Sequence, residues 1–264
     1  MICAKISIFT SNFFRMSRQD EFFNHITEGN TCKGDYITLG SAMLDGQTIK
    51  DAFVNVPLKT MNRHGLIAGA TGTGKTKSLQ VIAEQLSEKG IPSILMDLKG
   101  DLSGLAQPGS NNKHIEWRHG SIGIPYEPKP MPVELMSISE EKGVKLKATV
   151  SEFGPVLMSK ILDLNSTQSG ILSIIFKYSD DNDLPLLNLE DLKKLLQYSK
   201  EEGKEKFKAD YGSMSSMSIG TILRKVIELE SQGAESFFGE LSFEIEDLMQ
   251  TDRQGNGIIN IIRL

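Results

Sequence analysis

The sequence contains the octapeptide Gly69-Ala70-Thr71-Gly72-Thr73-Gly74-Lys75-Thr76, which fits the pattern G-x-x-x-x-G-K-[ST] at every defined position. Its glycines allow the backbone to curl so that successive N–H groups point into one concavity, and such a nest suits a polyanion. A helix that begins at the loop adds the partial positive charge of its N-terminus. The pattern therefore predicts a phosphate-binding loop, in which Lys75 reaches the β- and γ-phosphates and the Thr76 hydroxyl ligates Mg²⁺.

The flanking residues supply the context that this motif requires. The apolar run His64–Ala68 before the loop predicts a buried strand. After the loop, Lys75–Lys89 predicts a helix that ends near Gly90 and whose apolar residues share one face, namely Leu79, Ile82, Ala83 and Leu86. Strand, loop and helix in this order favour a nucleotide site over a flexible Gly/Thr loop.

Composition restricts the class of protein. The chain has 264 residues, of which 39% are apolar and 24% charged, as in soluble globular domains. The net charge of −5 gives no electrostatic reason to expect nucleic acid, although a basic groove can lie on an acidic protein. Cys3 and Cys32 provide neither a disulfide framework nor a metal site, so a reducing, cytoplasmic compartment is expected. No run approaches the ~20 apolar residues that span a bilayer, so no membrane partner is expected.

The pattern along the chain predicts an α/β P-loop fold with a mostly parallel sheet. Four segments are expected: an N-terminal extension and short helix at 1–33, a nucleotide-binding core at 34–138, a helical insertion at 139–242, and a return to a core strand at 243–264. Met16 precedes a polar stretch and is expected to be the true start. A chain that stops on an apolar strand is expected to be the front part of a longer protein.

Individual elements follow from periodicity and turn residues. Strands are predicted at 35–40, 52–58, 91–96, 132–138 and 257–264, with a short strand at 114–117 inside a loop at 105–131. The strand at 91–96 is expected to run parallel to the one at 64–68. Helices are predicted within 17–33 and at 151–164, 166–178, 189–198 and 215–231, with Asn165 and Asn188 as caps. The charge run at 199–208 is expected to be a solvated loop or helix face.

Acidic residues follow the strand at 91–96. Asp97 ends the run Ile94-Leu95-Met96-Asp97, and Asp101 lies in the turn beyond it. Asp97 is expected either to be the magnesium-side acid, acting through water, or to form with Asp101 an auxiliary acidic turn. Spacing does not separate the two interpretations.

Other side chains carry weaker signals. Arg63, Arg118 and Arg224 are each candidates for a charge-stabilising arginine but are expected to be solvated, and His64 is expected to be structural. Trp117, the single tryptophan, is expected in the core or at an interface rather than as a platform for bases.

Five runs point to a known family: Asn62–Thr76, Asp97–Gly104, Pro132–Ser137, Ala148–Leu157 and Leu162–Gly170. Together they resemble the bacterial HerA-like helicase family, within the HerA–FtsK group of P-loop ATPases, and the resemblance extends over about residues 17 to 264.

The resemblance implies a RecA/ASCE-like ATPase, often a hexameric ring, that uses ATP and Mg²⁺ to move DNA. The Walker B pair and the arginine finger of that family lie beyond the end of this chain. Asp97 and Asp101 carry over only as an acidic turn near the nucleotide. The residues that carry over for phosphate and Mg²⁺ are Gly69, Thr71, Gly72, Thr73, Gly74, Lys75 and Thr76.

The favoured hypothesis is an ATPase that couples hydrolysis to DNA movement as a homo-oligomer. One alternative is a nucleotide or small-molecule kinase in which Asp97 is the metal acid. The other is a non-catalytic module in which bound ATP orders an assembly.

Overall fold

A computed structural model describes residues 16–139 and 141–264. The predicted extension at 1–15, including Cys3, lies outside these residues. The chain divides into two compact units. Within the described residues one unit, here called the hairpin unit, comprises residues 16–85 and 107–130; the other, called the sheet unit, comprises residues 86–106, 131–139 and 141–264.

The hairpin unit is built around two long antiparallel strands. Its helices and strands are α1 (Arg18–Gly29), β1 (Tyr36–Leu44), β2 (Gln47–Pro57), α2 (Lys75–Glu88), whose last turn belongs to the sheet unit, and α3 (Lys113–Ile122). Strands β1 and β2 pair in antiparallel register, and α1 and α3 both pack against β2. The predicted first helix, both strands of the hairpin and the helix after the glycine-rich loop are confirmed.

Two predictions in this unit are wrong. Residues 64–68 form no strand, and they are exposed, with Leu66 at 89% of its full accessibility. A short apolar run forms a strand only when a neighbouring strand pairs with its backbone N–H and C=O groups. The local sequence does not show whether such a strand is present. The predicted strand at 114–117 is part of α3. The helix begins after Asn112, whose side chain accepts from the amides of His114 and Ile115, and ends at Gly123 in the left-handed conformation.

The sheet unit contains a four-stranded parallel sheet, which makes the protein a mixed α/β fold. The strands are β3 (Ser93–Asp97), β4 (Val133–Ser137), β5 (Val144–Lys145) and β6 (Ile259–Arg263), in the order β3-β6-β4-β5. The predicted strands near 91–96 and 132–138 are confirmed, as is the central strand at the end of the sequence, where Ile259 and Ile261 are fully buried. The parallel neighbour of β3 is β6. The prediction that β3 runs parallel to a strand at 64–68 is wrong because residues 64–68 form no strand.

Five helices between β5 and β6 form a hydrophobic core of their own. They are α4 (Val150–Ile161), α5 (Ser166–Asp181), α6 (Leu189–Lys200), α7 (Lys204–Tyr211) and α8 (Ser216–Ser231). The four predicted helices and both asparagine caps are confirmed, since Asn165 and Asn188 each form a capping box. The charge run at 199–208 contributes most of α7, which buries Phe207 and exposes its charged side chains. Among the described helices, none has the length and apolar character that crossing a bilayer requires.

Gly257 permits a close approach of two backbone segments just before β6. A Cβ atom at this position would overlap the carbonyl group of Ile91, and the hydroxyl of Ser87 donates to the Gly257 carbonyl at 2.6 Å. Because the obstructing atoms are backbone, they cannot move aside without displacing β3.

We expect Gly257→Ala to destabilise the fold by about 1–3 kcal/mol, the cost of overpacking, measured by urea unfolding. The matched control is Gly104→Ala, because a Cβ at Gly104 meets nothing within 4 Å. Equal losses in the two variants would contradict the expectation.

Candidate nucleotide-binding site

The loop Gly69–Thr76 leads directly into α2, which begins at Lys75. Gly72 and Gly74 have φ angles of 81° and 94°, in the region that side chains disfavour, so the glycines of the motif are required by the backbone that the loop adopts. A Cβ atom at Gly69 would overlap the Thr73 hydroxyl oxygen. Residues 69–74 are exposed, and the loop is therefore open to a ligand from solvent.

Two side chains of the loop converge on the carbonyl group of Ala70. The Thr73 hydroxyl donates to this oxygen at 2.8 Å, and the Lys75 ammonium group donates to it at the same distance. The Thr73 amide also approaches it, at 3.4 Å. The Lys75 side chain thus lies back over the loop, with its charge close to the glycines. The sequence pattern identified both side chains but did not indicate that Ala70 holds them together.

The start of α2 provides donors for an anion. The Ser78 amide donates to the Gly74 carbonyl at 2.9 Å and makes the first bond of the helix. The amides of Lys75, Thr76 and Lys77 precede that bond and have no partner inside the helix. Free amides, a lysine ammonium group and the positive end of a helix together suit the phosphates of a nucleotide. The Thr76 hydroxyl, in the first turn, is of the oxygen type that Mg²⁺ prefers.

Asp97 is the last residue of β3 in the sheet unit, and Asp101 lies in the turn that follows it. Asp97 is only 3% exposed, and its Oδ1 accepts from the amides of Lys99 and Gly100 at 3.2 and 2.8 Å. Its Oδ2 accepts from the Leu102 amide at 3.0 Å. Asp101 is exposed. Asp97 therefore anchors the turn through bonds to the backbone, a role that its place at the end of a strand did not reveal.

Two opposing effects act on the pKa of Asp97. Burial raises the pKa, and the amides of Leu102, Lys99, Gly100 and Asp101 lower it by stabilising the carboxylate. The amides prevail, and the pKa lies below its ordinary value. Asp97 is therefore ionised at neutral pH, with its charge held by the turn.

The remaining candidates from the sequence are on the surface. Arg63 and His64 are exposed before the loop, and Arg118 and Arg224 are exposed on α3 and α8. Arg224 donates to the Thr221 hydroxyl at 2.9 Å. Trp117 is 73% exposed, so it does not lie in the core; the alternative expectation, that it lies at an interface, stays a prediction. Within the described residues, no group of three or more His, Cys, Asp or Glu side chains is arranged to hold a metal ion.

The family model for the C-terminal part of HerA-like helicases matches residues 43–264, which include the loop Gly69–Thr76, the turn at Asp97, and the helices and strands of the sheet unit. No curated protein matches the chain.

Proposed function

This chain belongs to the helicase HerA-like C-terminal family, and from that premise we propose that it binds ATP with Mg²⁺ at the loop Gly69–Thr76. We further propose that the protein hydrolyses ATP to drive movement along DNA, as a homo-oligomer whose hexameric form follows from the family resemblance. The observation that carries the proposal is the loop itself, with Gly72 and Gly74 at positive φ and Lys75 folded back at the start of α2.

The proposed chemistry is transfer of the γ-phosphoryl group to water. The amides of residues 71–76 hold the phosphate oxygens, and Lys75 moves from the Ala70 carbonyl to the β- and γ-phosphates. Mg²⁺, held by Thr76, would neutralise charge that develops on the bridging oxygens. Because the amides are fixed by the backbone of the loop before the reaction, they stabilise the transferring group without reorganisation.

The geometry of Asp97 weighs against the kinase alternative. A kinase of this type needs Asp97 as its metal-side acid, with oxygens available to Mg²⁺ or its water. Three amides already occupy the two oxygens, at 2.8 to 3.2 Å. A metal would compete with the bonds that form the turn.

The proposal is tested by following ATP binding by the purified chain and phosphate release by the native protein, with and without DNA. We expect Mg²⁺-dependent ATP binding, and phosphate release that DNA accelerates. Phosphate transfer to a small acceptor without any effect of DNA would indicate a kinase instead. Tight ATP binding without turnover under any condition, with nucleotide-dependent assembly, would indicate the non-catalytic module.

A further inference from the structure

Helix α3 of the hairpin unit packs on β2. On this inner side the His119 Nδ1 lies 2.9 Å from the Ile124 carbonyl oxygen while its ring lies 5.0 Å from that of Tyr126. The Asn111 amide group donates to Glu116 at 3.0 Å, and Glu116 lines a cleft of about 420 Å³ together with Lys50, His119 and Tyr126. The side chains on the inner side of α3, and Glu116, its single carboxylate, therefore have contacts within the fold.

The opposite side of α3 carries a different set of side chains. At about 100° per residue, five positions fall within an arc of about 140°. We call this the outer arc; its residues are Lys113, His114, Trp117, Arg118 and Ser121. The outer arc contains no carboxylate, and neither Lys113 nor Arg118 forms an ion pair with any residue that the structure describes. The four larger side chains are exposed.

Trp117 is the unusual member of the outer arc. An indole ring that is 73% exposed contributes little to folding, because burial of its surface is what would stabilise the chain. Lys113 lies one turn before it, and residues four apart on a helix have Cβ atoms about 5–6 Å apart. Arg118 lies about 100° further round the helix, at the edge of the outer arc, and its long side chain flanks the ring on the other side from Lys113. The ring and the cations are thus within reach of one ligand.

We propose that the outer arc of α3 binds single-stranded nucleic acid, with a base stacked on Trp117 and flanking phosphates held by Lys113 and Arg118. A flat aromatic face between cations matches a strand that presents bases and phosphates together. Stacking on the ring requires a base that is not already stacked in a duplex, which specifies a single strand. The surface would serve the proposed movement on DNA, so the inference rests on that function.

Charge and shape favour this occupant over others. A membrane-bound helix needs a continuous apolar face, whereas Trp117 is the only large apolar side chain of the outer arc. The whole chain carries a net charge of −5, and an arc free of carboxylates is where an anionic strand meets least repulsion.

The single tryptophan makes the proposal directly measurable. Oligothymidylate is titrated into the 264-residue chain while Trp fluorescence and the anisotropy of a labelled oligonucleotide are recorded together. We expect quenching by the single strand and little by a duplex of equal length. Trp117→Ala should weaken binding about 5- to 100-fold, since stacking on one aromatic ring carries a contribution of this size, and Trp117→Phe should retain most of it. Arg118→Ala should reduce the salt dependence of binding.

Matched variants separate this inference from the proposed function. Lys50→Ala removes one positive charge outside the outer arc and should leave oligonucleotide affinity unchanged. ATP binding is measured in parallel and should be the same in Trp117→Ala as in the parent chain. Absence of ATP binding in the parent chain would overturn the proposed function, whatever the fluorescence titration shows. Oligonucleotide binding that neither changes Trp117 emission nor responds to Trp117→Ala would overturn the outer arc as the site. Absence of oligonucleotide binding, or quenching by anionic vesicles alone, would overturn it as well.

Discussion

Replacing Lys75 by alanine should lower ATP affinity about 10- to 150-fold while leaving the fold intact. A hydrogen bond to a charged group contributes about 1.5–3 kcal/mol, and each 1.4 kcal/mol is a tenfold change in affinity. Among the residues that the structure describes, the hydrogen bond of the Lys75 ammonium group is to its own loop, at the Ala70 carbonyl, at 2.8 Å. Its removal therefore costs little stability, because the loop is exposed and Ala70 still accepts from Thr73. Titration of ATP, with thermal unfolding as the check on folding, measures both quantities.

Lys77→Ala is the matched control for that experiment. Lys77 is exposed, two residues further along α2, and donates to the Gln80 side chain at 2.8 Å rather than to the loop. Both variants lose one positive charge near the start of the same helix, so only the position of the charge differs. We expect Lys77→Ala to change ATP affinity less than threefold, since exposed charges are screened by solvent and salt. If Lys75→Ala bound ATP as tightly as the parent chain, the phosphate-binding assignment would be wrong.

The features that the sequence predicted are those that local patterns determine. The helix after the loop, the hairpin strands and the helices with asparagine caps each depend on periodicity and capping within a few residues. The strand β6 was also predictable, because the run Gly257–Leu264 is too apolar to lie at the surface. Its position between β3 and β4 required the structure, since strand order is a property of distant residues.

The errors have two different origins. Residues 64–68 have the composition of a strand, but strand formation requires a partner whose position the local sequence does not encode. Helix α3 was overlooked for a different reason, since Gly and Pro on both sides of it suggested a loop. Its capping signals, Asn112 before and Gly123 after, were present in the sequence and would have identified it.

The candidate site residues also divide into those whose structure local sequence determines and those whose structure depends on distant residues. The backbone geometry of the loop Gly69–Thr76 could be predicted, because the glycines of the motif at 72 and 74 permit the positive φ angles that the loop adopts. The structural role of Asp97 could not be predicted, since a carboxylate at the end of a strand is compatible with a metal site or with a turn. The exposure of Trp117 was also unpredictable, because it depends on which side of α3 packs on β2.

Replacing Asp97 by alanine should destabilise the protein by about 3–5 kcal/mol. Each hydrogen bond from an amide to a charged group contributes about 1.5–3 kcal/mol, and three such bonds in one turn contribute less than their sum. The amides of Lys99, Gly100 and Leu102 would all lose their acceptor. The loss is measured as the shift in the urea midpoint. Asp180→Ala, which removes an exposed carboxylate from α5, should change stability by less than about 0.5 kcal/mol.

The effect of pH distinguishes the charge of Asp97 from its shape. The folded-state pKa of Asp97 lies below the ordinary value of 3.8. The ionised carboxylate therefore contributes fully to folding stability above the unfolded-state pKa, and this contribution is lost as pH falls through the folded-state pKa. Asp97→Asn keeps one acceptor oxygen and has no charge at any pH. We expect this variant to be less stable than the parent at pH 7, and the difference to shrink below about pH 4. Because other carboxylates titrate identically in both proteins, the difference isolates Asp97. A difference that stayed constant from pH 7 to pH 3 would show that the ionised carboxylate does not hold the turn.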